Sequence, residues 1–311
     1  MKKKIYLKVT RSFPRIDLFL REKLGSTPRS RIEKMIEQGR VLLNQRAVGR
    51  KNQKLVAGDR IEVEWESPPE TPPPSLVLNR LFEDEWLLAI DKPSGIAVHP
   101  GPGPRKETIL DIFRHQYPQI EKMEEKERPG LVHRLDKDTS GILLLAKDEN
   151  TMLKMQKRFK QRKVEKTYLA LVSGRMRYRN GTIDAPIARS LRNRTKFEVP
   201  RDDPGGHARD ARTDFSVVYE FPEFSLVRLH PHTGRTHQLR VHLAYFGNPV
   251  LGDRLYGKES GKKFFRLALH ACSLSFAHPG SGNWISVRCP MPEPLRRFMA
   301  EQFYRSRLDR S

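Results

Sequence analysis

The sequence predicts an α+β protein in which a small α/β module precedes a larger mixed domain. Short strands with alternating apolar residues lie between amphipathic helices over most of the chain, and no repeat of fixed period is found. Five prolines within 67–75 mark a semi-rigid extended linker. We therefore divide the 311 residues into a module at 1–66, a linker at 67–75 and a domain at 76–311.

The first module is predicted to contain two helices followed by two strands. Apolar residues recur at helical spacing in the first helix, at Ile16, Phe19, Leu20 and Leu24. Ser30 and Glu33 form a capping box that would open a second helix, and Gly39 would end it. Strands are expected at 41–43 and 61–65, the latter with its apolar residues on one face.

The larger domain is predicted to contain two strands and two helices near its most informative residues. The strands are an apolar one at 141–146 and one at 166–174 that places Tyr168, Ala170 and Val172 on one face. The core-facing residues of the helices are Met152, Met155 and Phe159 in the first, and Leu239, Leu243 and Phe246 in the second. The stretches 101–130 and 200–212 carry no assignable motif.

The chain is strongly basic, and much of the charge lies in two stretches. Its 59 Lys and Arg against 37 Asp and Glu give a net charge of +22; residues 1–66 hold 17 basic and 8 acidic residues, and 151–214 hold 17 and 7. Charge of one sign repels itself, and such chains most often bind phosphate. We expect a nucleic-acid partner, with Arg29, Arg31 and Lys34 among its contacts; a solvated surface without a partner is the alternative.

Composition excludes several protein classes. Two cysteines, Cys272 and Cys289, cannot form a disulfide framework, and their spacing to histidine matches no common zinc site. No apolar run approaches the ~18 residues of a membrane span, and the lysine-rich N-terminus lacks the apolar core of a signal peptide. The sequence predicts a cytoplasmic protein with inert thiols, no metal and no membrane contact.

The segment 132–147 carries the densest cluster of ionisable residues beside an apolar strand. It begins Val-His-Arg-Leu-Asp-Lys-Asp-Thr-Ser-Gly and then enters the strand at 141–146. A polar loop that runs into a buried strand often presents a reactive side chain, and Asp136 is the candidate. A structural interpretation stays open on these residues alone, in which Thr139 is a turn former and Arg134 pairs with Asp136 to hold the loop.

Three segments, taken together, resemble the RluA-type pseudouridine synthases. They are His133-Arg134-Leu135-Asp136 followed by Thr139-Ser140-Gly141, the strand Lys166-Thr167-Tyr168, and Gly234-Arg235-Thr236-His237-Gln238-Leu239-Arg240. Shorter matches at Asp91–Gly95, Val98–Pro100, Gly252-Asp253 and Tyr256-Gly257 extend the resemblance over nearly all of residues 80–290.

The first module resembles the S4 RNA-binding module over about residues 14–66. The order helix, helix, strand, basic turn, Gly-Asp and strand carries the resemblance. One departure concerns the turn, where the family often has Asn-Gly and this chain has Asn44-Gln45. Because glycine adopts positive φ without strain, its loss predicts a different turn type here.

The resemblance implies an RNA pseudouridine synthase on a mixed, largely antiparallel sheet with flanking helices and a central cleft. It implies that Asp136 is the catalytic aspartate, that Tyr168 stacks on the target base and that Arg240 pairs with the aspartate. Arg134 would lie beside the flipped nucleotide. The further candidates for contact with substrate are His133, Thr139 and His237.

The reaction shows why one carboxylate can suffice. Converting uridine to pseudouridine breaks the C1′–N1 bond, turns the uracil and joins C5 to C1′, and the detached base is itself the nucleophile. Asp136 can attack C1′ or remove a sugar proton to give a glycal, and both routes stay open.

Arg240 would orient the carboxylate, although a buried ion pair without a function is the alternative. The Tyr168 hydroxyl could help to remove the C5 proton. No cofactor is expected, because the isomerisation is redox-neutral.

Alternatives concern both the activity and the RNA. A catalytically idle RNA-binding or ribosome-assembly factor could use the same scaffold, and a nucleoside hydrolase would need a second well-placed carboxylate. Family members with an S4 module commonly modify ribosomal RNA, so the resemblance favours 23S rRNA over tRNA. A monomer is expected.

Overall fold

The chain forms two compact units. The computed structural model describes residues 2–24, 27, 29–66, 76–101, 106–203, 206–257 and 264–308. One unit takes the described residues up to 66 together with 125–127, and the other takes the remainder. The predicted linker at 67–75 lies outside the described residues.

In the first unit, two helices pack against a four-stranded antiparallel sheet with the order β1-β4-β2-β3. Its elements are β1 (Lys2–Lys8), α1 (Ile16–Lys23), α2 (Arg29–Glu37), β2 (Val41–Leu43), β3 (Arg46–Ala47) and β4 (Arg60–Glu66). Apolar side chains from both layers form its core, among them Phe19, Leu20, Ile32, Ile61 and Val63. The two predicted helices and the strands at 41–43 and 61–65 are confirmed.

The first unit differs from the sequence prediction at three places. β1 was not predicted, because lysines occupy much of this edge strand and conceal its alternation. α2 begins at Arg29, so Ser30 lies inside the helix instead of at its N-cap. Asn44 and Gln45 have φ of 49° and 69°, the positive values of a type I′ turn, so the expected change of turn type is wrong.

Asn44 holds that turn through its side chain. Its Nδ2 donates to Asp59 Oδ1 at 2.8 Å, and its Oδ1 accepts from the Arg60 amide at 2.9 Å. Two hydrogen bonds, to Asp59 just before β4 and to the first residue of β4, thus offset the strain of a positive φ at Gln45.

The second unit is built on a nine-stranded sheet with helices around it. Its elements are β5 (Arg80–Glu83), β6 (Leu87–Lys92), α3 (Ile109–Gln116), a 3-10 turn (Pro118–Lys122), β7 (Ser140–Ala146), α4 (Glu149–Lys160), β8 (Val164–Ser173), β9 (Asn180–Asp184), β10 (Ala188–Arg189), β11 (Phe197–Glu198), β12 (Arg212–Glu220), β13 (Phe224–Pro231), α5 (Gln238–Tyr245), β14 (Leu269–Ala277), β15 (Trp284–Arg288) and α6 (Glu293–Leu308). β10 and β11 pair as a separate hairpin.

The large sheet has the order β5-β6-β7-β14-β8-β13-β12-β9, with β15 paired to β14. All pairings are antiparallel except β14 with β7, which are parallel at His270 opposite Ser140 and Ala271 opposite Gly141. Gly141 has a φ of +108°, and a Cβ there would lie 2.2 Å from the Ala271 oxygen, so this contact requires glycine. The predicted mixed, largely antiparallel α+β architecture is confirmed.

Two apolar clusters stabilise the second unit. One surrounds β6, β7, α3 and α4 and includes Met152 and Met155, and the other surrounds β8, β13, α5 and α6 and includes Leu239 and Leu243. These four residues are buried as predicted. No helix in the described part of the chain combines the length and apolar character that crossing a membrane requires.

The stretch 101–130 contains a helix that the sequence analysis did not assign. Thr108 accepts from the Asp111 amide, and the Asp111 carboxylate accepts from the Thr108 amide, so the two form a capping box that begins α3. Ile109, Leu110, Ile112 and Phe113 are buried on the inner face of α3. Both signals are local and could have been read from the sequence.

Candidate active site

A cavity of about 510 Å³ opens in the second unit between the loop before β7, strand β8 and the segment that leads into α5. Every candidate residue that the sequence analysis placed in this domain lines it: His133, Arg134, Asp136, Thr139, Tyr168, His237 and Arg240. These residues come from three distant stretches of sequence. A cavity of this volume accommodates a ligand of nucleotide size.

Asp136 lies in this cavity against the guanidinium of Arg240. Arg240 Nη1 is 3.3 Å from Asp136 Oδ2, and the side chains are 7% and 17% exposed. Asp253 holds the other edge of the guanidinium, since Arg240 Nε and Nη2 donate to its two oxygens at 2.7 and 2.8 Å. Arg240 therefore bridges two carboxylates, and the bidentate bond with Asp253 sets its orientation.

The charges of this arrangement are stable. Burial acts to lower the pKa of Arg240, but the hydrogen bonds and charges of Asp253 and Asp136 outweigh burial and raise that pKa. Burial acts to raise the pKa of Asp253, yet Arg240 and the amides of Tyr256 and Leu255 hold it below its ordinary value. Asp136 thus faces a permanent cation whose position is determined by a buried anion.

The loop that carries Asp136 is anchored by a buried lysine. Lys92, at the end of β6, is 0% exposed and donates from Nζ to the carbonyls of Pro93, Ile96 and Lys137 at 2.8, 3.0 and 3.0 Å. Burial lowers the pKa of Lys92 to about 7, against the opposing charges of Asp138 and Asp136. Lys92 ties the candidate catalytic loop to the segment that follows β6.

A second tie to the same segment comes from Ser94 and Gly95. Ser94 Oγ donates to the Asp138 carbonyl at 2.6 Å, and the Gly95 amide donates to the Lys137 carbonyl at 3.0 Å. Within the loop, the Thr139 amide donates to the Asp136 carbonyl at 3.1 Å. The backbone around Asp136 is therefore rigid although the segment is neither helix nor strand.

His133 contacts the secondary structure around the loop. Its Nε2 accepts from the Leu144 amide of β7 at 2.9 Å, and its ring stacks on Phe159 of α4 at 4.6 Å. Burial, with a smaller contribution from Lys166, lowers its pKa to about 3. His133 is therefore neutral at ordinary pH and joins the loop to β7 and α4; its predicted contact with RNA stays a prediction.

Tyr168 projects into the cavity from β8, between β13 and β14. Burial, with a smaller contribution from Asp136, raises its pKa above the ordinary value, so the hydroxyl keeps its proton. Two residues earlier, Lys166 donates from Nζ to the Thr233 carbonyl at 3.1 Å, and burial lowers its pKa to about 8. β8 therefore contributes both an aromatic ring and a cation to the lining of the cavity.

The segment before α5 is shaped by Gln238. Its Oε1 accepts from the Thr233 hydroxyl and the Arg235 amide at 2.7 and 3.0 Å, while its Nε2 donates to Arg212 and Thr213 of β12. His237, the residue before Gln238, also lines the cavity. It has φ 57° and ψ 15°, a left-handed conformation that costs a non-glycine residue roughly 1–2 kcal/mol. Strain of this kind concentrates at functional sites.

Thr139 leaves a polar group unsatisfied in the cavity wall. It is 2% exposed, and its hydroxyl has no hydrogen-bond partner among the described residues. A buried hydroxyl without a partner costs free energy. Arg134 also lines the cavity.

Four residues that organise the site had no role in the sequence analysis: Lys92, Gln238, Asp253 and Tyr256. Lys92, Asp253 and Tyr256 lie within the short matching motifs, but nothing in their spacing shows which atoms they contact. Asp253 is 13 residues from its partner Arg240, and Lys92 is 45 residues from the Lys137 carbonyl that it binds. Such pairings are determined by tertiary packing.

The first unit has a groove of its own with a basic lining. A depression of about 580 Å³ is lined by Arg31, Lys34, Met35, Gln38 and Arg40. Arg31 lies over the ring of Trp65 at 4.8 Å. Two of the three predicted phosphate contacts thus share this groove, and the side chain of Arg29 lies outside the described part.

Comparison with known proteins identifies the class. Residues 86–245 match the family model described as RNA pseudouridylate synthase, and residues 14–61 match the S4 domain. An uncharacterized RNA pseudouridine synthase of Aquifex aeolicus is 36% identical over 294 residues, 91% of this chain and 92% of that protein. The human RNA pseudouridylate synthase domain containing 1 structure has a TM-score of 0.59 at 29% identity, covering 71% of this chain and 86% of that one.

The chain belongs to the RNA pseudouridylate synthase family and is an enzyme that isomerises uridine in RNA. Within that family it is of the RluA type with an S4 module, as its motifs predicted. The ribosomal large subunit pseudouridine synthase D of Haemophilus influenzae is 36% identical over 294 residues, 90% of this chain and 88% of that protein. No group of three or more His, Cys, Asp or Glu within the described residues is placed to hold a metal ion.

Proposed function

We propose that this enzyme converts uridine to pseudouridine in large-subunit ribosomal RNA, with Asp136 as the catalytic aspartate. One observation carries the assignment of Asp136: its carboxylate lies 3.3 Å from a guanidinium that a second, buried carboxylate orients. The names of relatives such as the Haemophilus influenzae protein support the choice of RNA.

Four residues of the cavity then have a role in an isomerisation without net addition or loss of atoms. Asp136 either bonds to C1′ or takes a sugar proton, and the electrons of the C1′–N1 bond leave with the uracil. The base turns on the ring of Tyr168 while Thr139 and Arg134 bind the extruded nucleotide. C5 then bonds to C1′ as the bond between Asp136 and C1′ breaks, or as Asp136 returns its proton to the sugar. The C5 proton then leaves, and N1 gains a proton.

Tyr168 acts as a stacking platform and neutral donor in this proposal. Its raised pKa makes a phenolate unfavourable, so we do not assign it the removal of the C5 proton. The cations Lys166 and Arg240 both line the cavity, where they can offset negative charge on the departing base and on its phosphate.

Tritium release tests the assignment. Large-subunit rRNA and tRNA are purified from cells that lack the protein and were grown with [5-³H]uridine, and each RNA is incubated with the enzyme. We expect label to be released from the rRNA, and we expect Asp136→Asn to slow release by about 10³-fold or more while RNA affinity is unchanged.

The alternatives give different results. Release from tRNA alone would overturn the proposed substrate, and substantial turnover by Asp136→Asn would overturn the proposed mechanism. A catalytically idle RNA-binding protein would release no label from either RNA. Mapping of modified uridines in the rRNA of cells with and without the protein then identifies the position.

A further inference from the structure

The motif Gly252-Asp253 with Tyr256-Gly257 forms a tight turn behind the cavity. Gly252 has a φ of +74°, and a Cβ there would lie 1.9 Å from the Arg266 oxygen, so the turn can only begin with glycine. Asp253 Oδ1 accepts from the amides of Leu255 and Tyr256 at 2.9 and 3.1 Å. The turn is therefore rigid, and it presents both Asp253 and Tyr256 to the site.

Tyr256 contacts the two residues that flank Asp136. Its ring lies 5.2 Å from the Arg240 guanidinium, and its hydroxyl oxygen lies 2.9 Å from His237 Nδ1. The other ring nitrogen, His237 Nε2, is 4.0 Å from Asp136 Oδ2. The Oδ2 atom of Asp136 thus lies near both a permanent cation and an imidazole, and one turn contacts both of these groups.

The hydrogen bonds around the Tyr256 oxygen determine which nitrogen of His237 carries a proton. The Phe197 amide, at 2.9 Å, can only donate to that oxygen. The phenol proton then needs an acceptor, and among the described residues His237 Nδ1 is placed to be one. An imidazole that accepts at Nδ1 carries its proton on Nε2, the atom nearest Asp136.

We propose that Tyr256 is a positioning residue that holds His237 as the neutral tautomer protonated on Nε2, so that a second hydrogen-bond donor faces Asp136. The proposal rests on the role of Asp136 given above. Burial lowers the pKa of His237, which keeps the ring neutral, and raises the pKa of Tyr256, which keeps its proton on the phenol. At 4.0 Å the Nε2–H can reach Asp136, or a sugar hydroxyl between them, after a small approach.

The tautomer can be observed without RNA. In protein labelled with ¹⁵N-histidine, the signals of His237 are identified by their loss in His237→Gln, and the one-bond proton coupling shows which nitrogen is protonated. We expect the proton on Nε2 in the wild type and a mixture of tautomers in Tyr256→Phe. A wild-type ring protonated on Nδ1 would overturn the proposal and leave the proposed function untouched.

Kinetics on the same labelled rRNA provide the second test. We expect Tyr256→Phe to lower the single-turnover rate about tenfold or more without changing RNA affinity. His237→Gln keeps a neutral donor near the Nε2 position that needs no tautomer control, so adding Tyr256→Phe to it should cause no further loss. Losses that multiply in the double variant would mean that Tyr256 acts only through packing, contrary to the proposal.

Tyr117 provides a matched control. Its hydroxyl donates to Glu83 at 2.7 Å, and neither residue lines the cavity. Tyr117→Phe should leave the rate and the His237 signals unchanged. Turnover by Asp136→Asn would overturn the proposed function, whereas it would not alter the tautomer seen by NMR, so the two failures are distinguishable.

Discussion

At the scale of single residues, the charge that Asp136 faces depends on a side chain that does not touch it. Arg240 makes a bidentate pair with Asp253 at 2.7 and 2.8 Å, and only one longer bond of 3.3 Å reaches Asp136. If Arg240 were bonded to Asp136 alone, its guanidinium would be free to follow Asp136 or to turn away from it. Asp253 removes that freedom before the RNA binds, which is the preorganisation that electrostatic catalysis requires.

We therefore predict that Asp253→Asn slows the reaction about 10- to 100-fold. The amide keeps one acceptor but loses the charge, and hydrogen bonds to charged groups contribute roughly 1.5–3 kcal/mol. Single-turnover tritium release at saturating RNA measures this loss. The matched control is Asp17→Asn, which changes another buried carboxylate with a bidentate Arg partner, Arg15 at 2.8 and 2.9 Å, in the first unit. Equal slowing in both variants would contradict the role assigned to Asp253.

At the scale of secondary structure, the candidate catalytic loop runs into β7 at one end and is held in its middle by buried polar groups. β14 pairs with β7 only over Ser140 and Gly141, so farther along β7 the Leu144 amide donates to His133 instead of to a strand. A histidine side chain thus continues the hydrogen bonding where the sheet stops. This bond requires a neutral ring, and burial keeps the ring neutral by lowering the pKa of His133.

The burial of His133 predicts a pH dependence of stability. The pKa of His133 is about 3 in the folded chain against 6.5 in the unfolded one, so between these values the unfolded state binds an extra proton. The free energy of unfolding should fall as pH decreases below 6.5, by up to about 1.4 kcal/mol per pH unit from this group alone. Urea unfolding at pH 4.5 and 7 should show a smaller fall for His133→Gln than for the wild type. His115→Gln, an exposed histidine on α3, should behave as the wild type.

At the scale of the whole molecule, the chain combines a catalytic unit with an S4 unit that carries a basic groove. Binding through phosphates releases counterions, so the affinity for RNA falls with salt in proportion to the number of contacts. The division at 1–66, 67–75 and 76–311 stays a prediction, since the proposed linker lies outside the described residues.

The groove of the S4 unit predicts a specific change in salt dependence. Replacing Arg31 and Lys34 by Gln should weaken RNA binding and reduce the slope of log affinity against log salt by about 0.7–0.9 for each lost contact. The rate on bound RNA should stay nearly the same. Lys4→Gln is the control, because Lys4 in the same unit is paired with Glu62 at 2.6 Å. An unchanged slope in the Arg31/Lys34 variant would exclude this groove as a phosphate site.

By itself, the sequence determined the helices and strands with clear periodicity, the family, and seven of the residues that line the cavity. Apolar spacing is a local property, as in α4 with Met152 and Met155, and short contiguous motifs made Asp136, Tyr168 and Arg240 candidates for the site. The sequence could not show β1, whose lysines hide its alternation, and α3 was missed although its capping box is local.

Only the tertiary structure decided how the cavity works. Three pairs of residues meet because the sheet order places distant segments side by side. They are Arg240 with Asp253, Lys92 with Lys137, and His237 with Tyr256. Their effect depends on burial: once water is excluded, a carboxylate orients a guanidinium, and a lysine has only backbone carbonyls to bind. Burial and long-range contact are properties of the packed chain, so no spacing in the sequence encodes them in readable form.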